Sequence, residues 1–231
     1  YEQTNKIGAG VYMFDALNGE LLWWTGANAT GTVNNVVSTP SLDMKYSVVS
    51  QIRVVDRDSD GLSDHFYFGD LGGQVWRVDY NNAKLDNENL RIKAPTRLLN
   101  LHNGKGSPRF YDMPAFSTYT KDGAIYGVVS IGSGNRSKPL AEYSTDNTQY
   151  NYDGIYNIYD KDVSRQDLFN ISGSGSTQAY ASFIPRTKDV TLLSEESDLP
   201  DNGSINQLVA IDNSNRFSNQ VIRAPFATTQ G

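Results

Sequence analysis

The sequence predicts an all-β fold: a β-propeller, partial or modified, with about four blades. Three observations lead there: short strands that each end on aspartate, a composition rich in glycine and tyrosine, and no strong helical period anywhere. The strands are Val11-Tyr12-Met13-Phe14-Asp15, Val75-Trp76-Arg77-Val78-Asp79, Ile155-Tyr156-Asn157-Ile158-Tyr159-Asp160 and Leu208-Val209-Ala210-Ile211-Asp212. Counted from Asp15 to Asp79, Asp160 and Asp212, the intervals are 64, 81 and 52 residues, near the size of a four-stranded blade with insertions. One blade cannot bury both of its faces alone, so each must stack on its neighbours. At 231 residues, one all-β domain spanning residues 1–231 is expected.

In chain order, residues 8–24 read as strand, turn, strand. The Asn18-Gly19 pair supplies the positive backbone angles of a two-residue hairpin turn, with aliphatic and aromatic residues on both flanks. Strands follow at Gln51-Ile52-Arg53-Val54-Val55 and His65-Phe66-Tyr67-Phe68.

Between those strands lies Asp56-Arg57-Asp58-Ser59-Asp60-Gly61-Leu62-Ser63-Asp64. Asp56, Asp58, Asp60 and Asp64 occupy ligand positions 1, 3, 5 and 9 of a calcium loop, Leu62 would offer its carbonyl at position 7, and Gly61 stands at position 6. Glycine is needed there because the chain turns back sharply around the ion. Position 12 is Tyr67 instead of a bidentate glutamate, so a water is expected to complete the Ca2+ coordination. A solvated acidic turn is the alternative, since Asp, Ser and Gly are ordinary turn residues.

Further on comes the segment Arg91 to Asn100, followed by a turn-rich segment at residues 103–110. Ala124 to Ser130 is an apolar run that leads into Ile131-Gly132-Ser133-Gly134, a buried strand ending in a tight loop. That loop lacks the Lys-Ser/Thr pair of a phosphate cradle and the third glycine of a dinucleotide fingerprint. The tyrosine-rich stretch 143–154 reads as an insertion folding its rings onto a blade, and residues 164–178 as a flexible segment. The acidic residues 194–203 lack calcium spacing and read as an exposed turn.

Composition removes whole classes of function. The net charge is −6 with no Lys/Arg block, so no nucleic-acid partner is expected. Without cysteine there are no disulfides, thiolate metal sites or cysteine nucleophiles. Only His65 and His102 are present, and neither has zinc-pair spacing. No Gly-x-Ser-x-Gly elbow exists to position a serine nucleophile, so no catalytic residue is assigned and the chain is not expected to be an enzyme. No run is long enough for a transmembrane segment. The opening Tyr1-Glu2-Gln3-Thr4-Asn5 reads as the start of a piece excised from a longer protein.

The calcium loop runs directly into Phe68-Gly69-Asp70-Leu71-Gly72-Gly73-Gln74-Val75-Trp76-Arg77. Together with the 10–23 hairpin and the region from Ile131 to Lys161, this combination resembles the C-terminal β-propeller of the PilC/PilY family of type IV pilus biogenesis and tip adhesion factors. The resemblance covers most of residues 8–165. It implies an exported, calcium-binding propeller at the surface or outer membrane of a Gram-negative bacterium. It also implies a role in pilus extension and retraction, with pilins or minor pilins as partners and host-cell surface receptors as adhesion targets. The ligands it implies are Asp56, Asp58, Asp60, Asp64 and the Leu62 carbonyl. The 11–23 hairpin also resembles quinoprotein propeller repeats, and the aspartate loop resembles those of integrin-like binding propellers. A pyrroloquinoline-quinone dehydrogenase fragment and a scaffold propeller are therefore the alternatives.

Overall fold

The computed structural model describes residues 9–29, 32–33, 36–81, 91–92, 95–102, 107–121, 124–137, 155–160 and 163, together with five two-residue strands between 171 and 222. Every regular element longer than one turn among these is a β-strand. The expected insertion at 143–154 and the acidic turn at 194–203 lie outside the described residues, as does most of the 164–178 segment.

Three sheets of blade size account for most of the described chain. The first contains β1 (Gly10–Phe14), β2 (Leu21–Gly26), β3 (Thr32–Val33) and β4 (Val36–Pro40), in the order β1-β2-β4-β3. The second joins β5 (Arg53–Val55), β6 (His65–Gly69), β7 (Gln74–Asn81) and β8 (Arg91–Ile92), with β9 (Thr96–Asn100) also pairing with β7. The third runs β10 (Ala115–Lys121), β11 (Ala124–Gly132), β12 (Ile155–Asp160) and β15 (Gln207–Leu208), every neighbour antiparallel. The short pairs are β13 (Ile171–Ser172) with β14 (Ala179–Tyr180), and β16 (Ala210–Ile211) with β17 (Val221–Ile222). The all-β class is as the sequence predicts, but three sheets of blade size stand among the described residues where about four blades are expected. The predicted strand 208–212 is split into β15 and β16, and β15 pairs with β12 in the third sheet instead of opening a blade of its own. A closed ring is not seen among the described residues.

The second sheet is the middle layer. Each residue of β6, His65-Phe66-Tyr67-Phe68-Gly69, is buried, because alternate side chains point to opposite faces and both faces are covered. Phe66 and Phe68 join Val11, Trp23, Met44, Trp76 and Val78 in a core against the first sheet, where Trp23 meets Phe66 edge to face at 5.6 Å. Tyr67 points the other way, into a core with Val75, Leu99, Phe110, Val129 and Ile158 against the third sheet. Each such side chain contributes roughly 1.5–3 kcal/mol on burial, so these two cores set the stacking of the layers.

One local reading needs correction. The 10–26 hairpin forms, but its turn is not the two-residue kind: Asp15 N–H donates to the Glu20 carbonyl at 2.8 Å, leaving residues 16–19 as a four-residue loop. Gly19 has φ +76°, whereas Asn18 is not among the residues with positive φ. The register shift between Met13 and Phe14 and the Asp15 carboxylate, which accepts from Leu17 N at 2.7 Å, favour the wider loop. The first sheet also departs from a simple up-and-down blade, because β4 runs parallel to β2. Thr25 Oγ1 donates to the Thr39 carbonyl at 2.5 Å and Trp23 Nε1 to Thr39 Oγ1 at 3.1 Å, tying β4 to β2 at Thr39.

The Gly69-Asp70-Leu71-Gly72-Gly73-Gln74-Val75-Trp76 run spans the end of β6, the turn at residues 70–73 and the start of β7. The buried Asp70 carboxylate accepts from Gly72 N at 2.9 Å, Gln74 N at 3.0 Å, Gln74 Nε2 at 2.9 Å and Trp76 Nε1 at 3.0 Å. Gly73 takes φ +80°, and a Cβ on Gly72 would lie 2.1 Å from Tyr46 Cδ2. The motif is thus a structural turn that one carboxylate organises.

Candidate metal centre

The aspartate loop bridges β5 and β6, the neighbouring antiparallel strands expected for it, with Val55 opposite His65. It is rooted by Asp64 N–H donating to the Val55 carbonyl at 2.8 Å and by Tyr80 N–H donating to the Asp64 carbonyl at 2.9 Å.

Inside the loop the backbone turns around its own carboxylates. Asp56 accepts from Ser59 N at 2.7 Å and from Gly61 N at 2.9 Å, and Asp58 from Asp60 N at 3.3 Å. Asp64 Oδ2 accepts from Arg57 N at 2.7 Å. Two positive backbone angles close the turn, φ +62° at Ser59 and +88° at Gly61. Gly61 therefore does what its position predicts. Ser59 takes the left-handed conformation as a non-glycine residue, which the sequence did not indicate.

The result is a convergence. Carboxylate oxygens of Asp56, Asp58 and Asp64 lie within 4.8 Å of one another, with Asp56 and Asp58 exposed and Asp64 buried. Those three residues could hold a metal ion. Asp60 is not in this group: it is exposed, and its Oδ1 accepts the Leu62 N–H at 2.7 Å. Leu62 is 45% exposed. Burial raises the Asp64 pKa, and the nearby Asp58 adds to the rise, while the Arg57 amide and the charges of His65 and Arg57 oppose it.

Coulomb repulsion between unit charges about 4 Å apart is roughly 1 kcal/mol in water and about 4 kcal/mol at an effective dielectric near 20. The backbone donors to Asp56, Asp58 and Asp64 offset part of that cost. The donor set is all oxygen, which suits a hard cation.

Directly behind the loop lies a buried ion-pair network that sequence reading did not find. His65 Nδ1 is 2.7 Å from Asp79 Oδ1, Arg77 Nε is 2.8 Å from the same oxygen, and Arg77 Nη1 pairs with Asp160 on β12. All four side chains are at most 2% exposed. Burial would raise the Asp79 pKa, but the Arg77 charge and the His65 hydrogen bond hold it well below the usual carboxylate range. The signal available in sequence was the closing aspartate shared by the Val75–Asp79 and Ile155–Asp160 strands. What it did not reveal is that both aspartates bind one arginine.

No family model and no curated protein matches the chain. Among solved structures the fold is similar to the crystal structure of the Pseudomonas aeruginosa PilY1 C-terminal domain, with 17% sequence identity and a TM-score of 0.45. The alignment covers 90% of this chain and 45% of that one, so the chain spans less than half the length of that structure. A likeness at this TM-score says nothing about function.

Proposed function

We propose that residues 56–64 bind one calcium ion, and that the ion braces the β5–β6 turn of an exported β-propeller domain serving type IV pilus biogenesis and adhesion. The observation that carries the cation reading is the convergence of the Asp56, Asp58 and Asp64 carboxylates on a turn already closed by Ser59 and Gly61. In this reading Asp60 is the fourth carboxylate ligand, the Leu62 carbonyl the fifth, and water completes the shell. Calcium is favoured over magnesium because an irregular set of carboxylate, carbonyl and water oxygens suits the larger ion's flexible geometry. With Tyr67 where a bidentate acid would stand, the affinity is on the order of 10⁻⁶ to 10⁻³ M.

The pilus assignment rests on the run from the aspartate loop into Gly69-Asp70-Leu71-Gly72-Gly73-Gln74-Val75-Trp76-Arg77, which resembles the PilC/PilY family. In this reading the protein lies at the cell surface, its partners are pilins or minor pilins and host-cell receptors, and it catalyses no reaction. Occupancy of the loop changes one surface of the domain and so governs pilus extension and retraction.

Calorimetry on chelator-treated protein tests the cation, with one calcium bound by the parent and loss of binding in Asp60→Ala as the expected result. No heat at millimolar calcium overturns it. In cells, the Asp56→Ala/Asp60→Ala double variant should change surface pilus number or twitching while still being exported, and Asp201→Ala should not. Normal pili in a double variant shown to have lost calcium would leave the loop as a structural brace only.

A further inference from the structure

The aspartate loop and the packing of the second sheet on the third meet at one residue. Asp64, at the root of the loop, precedes His65, the first residue of β6. His65 is fully buried, and its Nδ1 lies 2.7 Å from Asp79 Oδ1 on β7. Asp79 holds Arg77, and Arg77 reaches across the layer boundary to Asp160 on β12. Asp160 in turn accepts from Val163 N at 3.3 Å, fixing the chain just after β12. On the other side of the root, the Asp64 carbonyl is held by Tyr80 N, one residue beyond Asp79. Asp64 and His65 are thus bound twice to the same short stretch of β7, by backbone at Tyr80 and by side chain at Asp79.

We propose that His65 is a positioning residue that couples cation binding in the loop to the buried clamp formed by Arg77, Asp79 and Asp160, so that the loop and the interface between the second and third sheets stabilise each other. The inference rests on the cation reading above. The physical reason is rigidity: Asp64 can converge on Asp56 and Asp58 only if the start of β6 is fixed, and the clamp fixes it from the far side of the sheet. Coupling of this kind is reciprocal, so a cation in the loop must also tighten β12.

The experiment uses the whole chain with calcium as the probe. Calcium affinity is measured by calorimetry for the parent, for Asp160→Asn, which lies on β12 outside the loop, and for Val11→Ala, which loosens the other core. The expected result is a fall in affinity of about fivefold or more in Asp160→Asn and no change in Val11→Ala. A merely structural role for the clamp would lower the melting temperature of both variants and leave both affinities at the parental value. Should Asp160→Asn fail to fold, hydrogen exchange on the parent decides. Chelation of calcium is expected to speed exchange at the Asp160 and Val163 amides and leave Thr25 in the first sheet unchanged. Parental affinity in a folded Asp160→Asn, or exchange that changes only within 56–64, overturns the coupling while leaving the cation site standing. Failure of the parent to bind calcium overturns both.

Discussion

Arg77 on β7 and Asp160 on β12 form an ion pair buried between two sheets, 83 residues apart in sequence. Asp79 shares the same guanidinium, so one positive charge serves two buried carboxylates. Burial works against the arginine's charge, and the two carboxylates outweigh it, holding its pKa well above the usual value.

Replacing Arg77 with Met keeps much of the volume but strands Asp79 and Asp160 in the interior. Breaking a buried pair from one side costs about 3–5 kcal/mol, because the carboxylates stay buried without the guanidinium charge, although Asp79 keeps His65 and Asp160 keeps the Val163 N–H. Urea unfolding of Arg77→Met should show a loss of at least that size. A loss below about 1 kcal/mol, the scale of an exposed pair, would mean that the clamp is open to water.

Asp70 gives the protein a pH dependence of definite sign. Burial raises its pKa from 3.8 to about 6, against the opposing hydrogen bonds from Trp76, Gln74 and Gly72. The folded state therefore binds the proton more tightly than the unfolded state between about pH 4 and about pH 6. Stability falls as pH rises through that window, by on the order of 3 kcal/mol from this residue. Asp64 is also raised and adds a slope of the same sign, whereas Asp79, being depressed, loses its contribution only as pH falls below about 4. Denaturant midpoints measured at about pH 4.5 and about pH 7 should differ more in the parent than in Asp70→Asn, which cannot titrate. Asp70→Asn should also be less stable than the parent at both values, since an amide nitrogen cannot accept from the donors that surround it.

Two glycine substitutions separate core from loop. Gly72→Ala places a Cβ 2.1 Å from the ring of Tyr46, a buried residue whose ring also packs against His102 at 4.8 Å. Overpacking of this kind costs about 1–3 kcal/mol and should lower the melting temperature. At Gly61 nothing lies within 4 Å of a Cβ, but φ is +88°. Gly61→Ala should cost about 1–2 kcal/mol of backbone strain confined to the loop. Calcium affinity should therefore fall in the Gly61 variant and hold in the Gly72 variant.

Calcium itself should raise the melting temperature. A ligand bound only by the folded chain adds about 2.7 kcal/mol at a hundredfold excess over its dissociation constant. Thermal melts of chelator-treated protein with and without calcium would show the shift, and its absence in Asp56→Ala would locate the ion.

The sequence by itself determined the β1–β2 hairpin, β6, β7, β11, β12 and the aspartate loop, because these are governed by local chemistry, whereas β4 and β10 were not read from it. Runs of aromatic and β-branched residues at 66–68 and 75–78 specify strands from within a few residues. The spacing of Asp56, Asp58 and Asp64 around Gly61 brings carboxylates together through hydrogen bonds no more than seven residues apart. The Asn18-Gly19 turn was legible as a turn but not in its type, which depends on the register shift at Met13 and Phe14. Tertiary structure alone decided the rest. One example is that β4 lies parallel to β2, with Thr39 bonded to Trp23 and Thr25. That Asp79 and Asp160, similar endings of similar strands, share one arginine follows from the stacking of two sheets whose strands are separated in sequence. A carboxylate's spacing to its neighbours is written in the chain, but its burial is not, since burial depends on which distant strand covers it.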